Sequence, residues 1–306
     1  MEVFPRRKIE TRLGMTFLAC LLFSVPFLVT RRALIAVPVI FTIGAVYYLG
    51  VYYPKYRRRR SISKNPLSNE DRAILSKNVT FYSSMADDDK LTYEADIAIF
   101  LNEHTITGVD DVDITRKVQL LVAATAIRLV FKRPEWEYRD FGDILVYPGG
   151  FRTDGSYSTD LRGCSSAAAG LVHSSGSVIL SLPHLLRGFQ HNNDGYNVGY
   201  HEFAHVLDGY HPDGVPDELS LGAYRPWIEV MQREFEKVHK GKSMLRQYAG
   251  TNPAEFFACS VEAFFEKPEM MKKKAPDVSG LGEEYMLHVV EMSLLVVRLL
   301  IQKNIV

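Results

Sequence analysis

Cysteine is scarce in this chain. Cys20, Cys164 and Cys259 are the three it has, far apart and without a C-x-x-C pair. That spacing excludes a disulfide framework and a cysteine-based zinc knuckle. Net charge is missing too, because 36 basic and 36 acidic residues cancel. No chain-wide field advertises a nucleic-acid partner, so a dedicated DNA-binding protein is excluded on charge balance. There is no internal repeat, and 306 residues suffice for one large domain or two modest ones.

Long uncharged runs, by contrast, are present. Leu13 to Thr30 and Ala33 to Tyr53 carry no charged residue and are separated by Arg31 and Arg32. At about 1.5 Å rise per residue, each could span a hydrocarbon core of about 30 Å. Two transmembrane helices are therefore expected within residues 1–60. Arg6, Arg7, Lys8 and Arg12 precede them, and Lys55 and Arg57 to Arg60 follow. This basic excess on the outer flanks predicts both ends of the hairpin, and the domain after it, on the cytoplasmic side. A cleaved leader would call for a small-residue cleavage site after the first run, where a second apolar span follows instead. The Arg57 to Arg60 run reads as a topology anchor touching anionic lipid.

A polar linker, residues 61–67, contains Pro66 and leads to Ser68, a good N-cap for a helix. Thr115 to Phe131 has helical periodicity but carries Gln119 and Arg128, which predicts a buried core helix. Asp143 to Tyr147 and Ser177 to Ser181 read as strands. The second is expected at the sheet's outer edge, where an extended peptide could pair with it. Between them lies a long Gly- and Ser-rich loop, and residues 284–306 form an apolar C-terminal helix with a narrow charged stripe.

The chemistry concentrates in Tyr200 to Asp208, YHEFAHVLD. Histidines at i and i+4 share one helix face, so His201 and His205 can reach one metal ion. Glu202 points about 100° away around the helix, beside an attacking water, where it suits a general base. Asn197 is the expected N-cap, and Asp208 is placed to orient a ligand imidazole. A histidine pair also arises by chance, so the site needs a third ligand. In Gln247 to Glu266, Asn252 and Pro253 open a helix whose first turn holds Glu255. Local pattern alone leaves Glu255 equally a capping-box acid or a ligand, with Glu262 as competing ligand or outer partner. Cys259 reads as a buried structural thiol, and His173, His184, His191 and His211 as surface histidines.

These segments, HEFAHVLD, YAGTNPAEFFACSVEAFFEKPE, DILVYPGGF and GSVILSLPHLL, together resemble the Mlc titration factor A family of zinc-dependent peptidases. The resemblance runs from about Ser68 to about Ala275. It implies one zinc per chain held by His201, His205 and Glu255, with Glu202 as catalytic base and Tyr248 stabilising the transition state. It also implies aminopeptidase activity and kinship with the glutamate-ligand zincins, including the catalytic domain of anthrax lethal factor. In enteric bacteria, members bind the glucose repressor Mlc. The apolar N-terminus and the C-terminal helix depart from the familiar soluble members. The expected architecture is α+β: a zincin-like domain over residues 68–283, mostly helical with a small sheet, behind a two-helix membrane hairpin. Its partners would be a peptide or protein substrate, the bilayer and a regulatory protein. A membrane-tethered module that sequesters a transcription factor is the alternative.

Overall fold

A computed structural model describes residues 33–133, 138, 141–151, 157–158, 170–172, 177–209 and 232–275. The chain divides into two compact units. The first comprises Met1–Arg72, Met85–Glu103 and Val130–Glu137; the second comprises Ala73–Ser84, His104–Leu129 and Tyr138–Val306.

In the first unit, α1 (Ala33–Tyr47) passes through a π-helical turn (Tyr48–Tyr52) into α2 (Tyr53–Ile62). The second expected membrane span, 33–53, is helical along its length, as a 15-residue α-helix followed by a π-helical turn that leads into α2. Among the described residues no helix is long and apolar enough to cross a membrane. The first expected span lies outside the described residues, as does the expected C-terminal helix, 284–306. Val39, Phe41, Ile43, Val46, Leu49 and Val51 are exposed. The basic run is not uniformly a surface charge either. Arg59 is buried, and its Nε and Nη2 both donate to the carboxylate of Glu103.

Ser68 caps α3 (Asn69–Asn78) as expected: its hydroxyl accepts from Asp71 N–H at 3.1 Å, while the Asp71 carboxylate accepts from Ser68 N–H at 3.3 Å. Two helices follow, α4 (Thr80–Ser84) and α5 (Asp87–Glu103).

The second unit is organised around a four-stranded mixed sheet of order β1-β2-β6-β5. Strand β1 (Ile106–Gly108) connects through α6 (Arg116–Val130) to β2 (Ile144–Tyr147), its parallel neighbour. A short antiparallel pair, β3 (Gly150–Phe151) with β4 (Tyr157–Ser158), occupies part of the expected long loop. Strand β5 (Gly170–Val172) occupies another part and lies antiparallel to β6 (Val178–Ser181). Strand β6 also pairs in parallel with β2, so it is internal, and the sheet edge expected there is β5. A three-residue strand within a Gly/Ser-rich run has too little alternation to announce itself.

After β6 come α7 (Leu182–Gln190), α8 (Val198–Gly209), a helical segment at 232–239, a 3-10 turn (Gln247–Gly250), α9 (Pro253–Glu266) and α10 (Pro268–Lys274). The expected core helix is realised in α6, where Leu120, Leu121, Val122 and Ala123 are wholly buried. Ile144, Val146, Val178 and Leu180 supply the sheet's contribution to the core, and Phe203 and Phe257 that of α8 and α9. Each such side chain contributes about 1.5–3 kcal/mol when fully buried. Tyr138 and Phe141 stack edge-on against Phe203, with centroids 5.6 and 6.3 Å away, and Tyr138 Oη donates to Ala126 O at 2.9 Å.

Gly199, in the first turn of α8, is where that helix meets α6. A Cβ there would come within 2.5 Å of Thr125 Cγ2, a buried side chain with no room to move. Gly199→Ala is expected to lower unfolding stability by about 1–3 kcal/mol, the usual cost of overpacking. Chemical denaturation in chelator would register it, and an unchanged midpoint would refute this close approach.

Candidate metal centre

The site is built from two helices pressed together. Helix α8 begins at Asn197, whose Oδ1 accepts from Tyr200 N–H at 3.2 Å, which is the expected cap. It carries His201, Glu202 and His205 inward, packed against α9 and strands β5 and β6. Helix α9 begins at Asn252, whose side chain accepts from Glu255 N–H at 2.9 Å. That bond uses only the Glu255 backbone. Its carboxylate turns to the histidines, with Oε2 at 2.9 Å from His201 Nε2 and 3.6 Å from His205 Nε2. The two readings of Glu255, cap and ligand, are thus compatible, because they fall on different atoms of one residue.

His201 Nε2 and His205 Nε2 are 3.2 Å apart. Two zinc–nitrogen bonds of about 2.05 Å at the tetrahedral angle separate their nitrogens by about 3.3 Å. The donor atoms of His201, His205 and Glu255 all lie within 4.8 Å of one another. Two imidazoles and one carboxylate at these separations fit a tetrahedral zinc with one position left open.

The far side of His201 decides which nitrogen faces this centre. Nδ1 hydrogen-bonds Glu262 Oε1, and because a carboxylate can only accept, Nδ1 keeps its proton and Nε2 is the nitrogen that faces the centre, free to bind an ion once it gives up its own proton. Arg246 Nη2 lies 3.1 Å from the same Nδ1, but both are donors, so its hydrogen bond goes to Glu262 Oε1. Glu262 is therefore positioned to orient a ligand. The other Glu262 oxygen accepts from Asn197 N–H at 2.9 Å. One turn later, Glu266 accepts from Gly195 N–H, Tyr196 N–H and Asn197 Nδ2 at 2.9, 3.1 and 3.1 Å.

Charge follows from this enclosure. Burial alone would lower the His201 pKa, but hydrogen bonds with Cys259, Glu255 and Glu262 outweigh it and push the ring well above its ordinary value. The surroundings thus favour positive charge there, proton or metal ion alike. Burial alone would raise Glu255, yet hydrogen bonds to His201 and His205 hold its carboxyl well below the usual range. Glu202 is 4% exposed, and burial pushes its carboxyl up to about 7. A Cβ on Gly170 would fall 2.1 Å from Glu202 Oε1, so the edge strand β5 passes directly over that side chain. Tyr248 is 48% exposed, its ring centroid 6.0 Å from that of His201; burial of its hydroxyl and the Glu255 charge raise it to about 12.

Cys259 is buried, as expected. His184 Nδ1 pairs with Ser181 Oγ at 2.7 Å and His191 ends α7; neither joins the cluster. The side chain of Asp208, and His173 and His211, lie outside the described residues. Arg246, Gly170 and Glu266 had no part in the sequence reading. Glu266 was discoverable, being four residues after Glu262 on one helix face, whereas no motif marks Arg246 or Gly170.

Two helix-borne histidines, the glutamate between them and a carboxylate from a second helix define the HExxH metallopeptidases with a glutamate third ligand. The pattern of one family, the glucose-regulated metallo-peptidase M90, matches residues 53–285, and the chain belongs to that family. The chain is 29% identical over 226 residues to the uncharacterized protein slr2042 of Synechocystis sp., spanning 70% of this chain and 82% of the relative. It is also 29% identical over 157 residues to the Mlc titration factor A of Yersinia enterocolitica, covering 44% of this chain and 55% of the relative. Only about half the length of the curated titration factors is thus matched, although the likeness read from the motifs is borne out.

Removing the partner that orients His201 should be felt at the metal. Glu262→Gln is expected to weaken zinc binding about 10–100-fold, as loss of such partners generally does. Competition with a chromogenic chelator measures it. Wild-type affinity in a folded variant would show that the Glu262 contact orients nothing.

Proposed function

We propose that the protein is a zinc-dependent peptidase in which His201, His205 and Glu255 hold the ion and Glu202 is the general base. The observation that carries this reading is the near-tetrahedral spacing of the three donor atoms, with Glu202 on the next position of the same helix. Zinc, when bound, would polarise the scissile carbonyl and acidify the attacking water. Glu202 takes the proton from that water and passes it to the leaving amine. The buried setting of Glu202 favours a carboxyl that can exchange a proton near neutrality. Tyr248 stands exposed beside the ligands and donates a hydrogen bond to the developing oxyanion. The edge strand β5 offers backbone pairing to an extended substrate, taking the place first expected of β6. Aminopeptidase action, as in the resembling family, is the activity to test first.

A regulatory protein partner belongs to the same proposal. The Yersinia relatives are named for titrating Mlc, which supports a protein-binding role alongside catalysis here. Residues 1–60 would attach the chain to the membrane, with the peptidase unit on the cytoplasmic side. Their support is the uncharged runs, the basic flanks and the exposed apolar side chains of α1 and the π-helical turn. Retention in the membrane pellet through carbonate washing is the expected behaviour, and release would remove this attachment.

Glu202→Gln should keep one zinc per chain while peptide hydrolysis falls by at least about 10²-fold, the contribution of a positioned acid–base group. Tyr248→Phe should lower kcat by about 10²–10³-fold with little change in KM. Zinc bound by wild type and Glu202→Gln, with equal hydrolysis in both, would overturn the assigned base. Zinc without hydrolysis in either would favour the tethered binding module.

A further inference from the structure

His201 belongs to two groups of donor atoms. Outward, its Nε2 faces His205 and Glu255. Inward, Nδ1 forms with Cys259 and Glu262 a second set of potential ligands, all three buried and with donor atoms within 4.8 Å of one another. By composition the inner set is the more attractive to soft metals, since it offers a thiolate, an imidazole and a carboxylate. A device that selects the outer group over the inner one is therefore required, and the guanidinium of Arg246 supplies it.

Arg246 approaches from outside both helices, just before the 3-10 turn. Its Nη2 donates to Glu262 Oε1 and lies 3.1 Å from His201 Nδ1, between two of the three inner donors. The Cys259 sulfur lies within 4.8 Å of the donor atoms of His201 and Glu262 and interacts electrostatically with the same guanidinium. The arginine is held there from above by the rings of Tyr196 and Tyr248, whose centroids lie 4.8 and 5.1 Å from its Cζ. Its Nε is buried with no hydrogen-bond partner among the described residues, so the bonding of the guanidinium falls to its Nη2 end.

Resting on the peptidase reading above, we infer that Arg246 is a positioning residue whose guanidinium occupies the cation place of the inner group. It thereby keeps metal ions off Cys259 and leaves His201 with Nε2 as the nitrogen that serves the outer centre. A guanidinium suits the place because it stays charged and cannot itself take a ligand's proton. Neutralising it would open a cysteine-containing site, at which the Cys259 thiol gives its proton to solvent as it coordinates and the His201 Nδ1 proton moves through solvent to Nε2.

The test uses the full-length chain and cadmium, a thiophilic ion whose bond to a thiolate gives an ultraviolet charge-transfer absorption. Wild type and Arg246→Lys are expected to take up cadmium without that absorption. Arg246→Met should gain it, with the band lost again in the double variant Arg246→Met/Cys259→Ser. Arg246→Gln, which keeps a polar head without charge, serves if the methionine variant does not fold. A thiolate band in wild type, or its absence from both neutral variants at saturating cadmium, would overturn the inference. If wild type binds no metal while the neutral variants show the band, the outer ligand set fails and the inner one stands.

Discussion

The carboxylate of Glu262 is the interaction on which the rest of the site depends. One oxygen takes the His201 proton and the Arg246 hydrogen bond, while the other takes the Asn197 N–H that starts the histidine-bearing helix. Helix start, ring orientation and the pairing of α8 with α9 are thus fixed by one group. A buried carboxylate without partners would be costly, and this one is supplied with three donors. Glu266, one turn along, repeats the pattern on the loop before α8, so two acids on one helix hold the entrance of another. The architecture is a consequence of acids meeting backbone N–H groups that a helix start leaves unpaired.

The site gathers Glu202, Glu255, Glu262 and Glu266 on two adjoining helices, with Arg246 paired to Glu262. An enclosure so rich in carboxylates favours a bound cation, which is the setting a metal centre exploits. Gly170 completes the enclosure on the far side of Glu202, where any side chain would strike the carboxylate. The site's electrostatics and its packing therefore enforce the same geometry.

Sequence reading captured what is local. Histidines four apart, the Asn197 and Asn252 caps, and the core helix each follow from spacing and propensity within one or two turns. It failed where long-range pairing decides. The position of β6 inside the sheet depends on β5, three residues in a run that lacks strand alternation. Arg59 resembled its neighbours until Glu103, 44 residues away, gave it a partner. The apolar run at 33–53 was read by composition, which cannot register a change of helical winding at Tyr48–Tyr52. Arg246 belongs to no motif, and its importance comes from what three separate segments place around it.

The donor set is divided unequally along the chain. His201 and His205 share one helix and meet as soon as that helix forms, but Glu255 comes 54 residues after His201, and Glu262 comes 61. Synthesis from the N-terminus at about 5–20 residues per second exposes the paired histidines for several seconds before their carboxylates exist. The half-made centre has two of its donor atoms and an unfixed ring until a loop of more than fifty residues closes, at an entropic cost that grows only slowly with its length. Completion of the centre is thereby tied to the packing of α9 against α8.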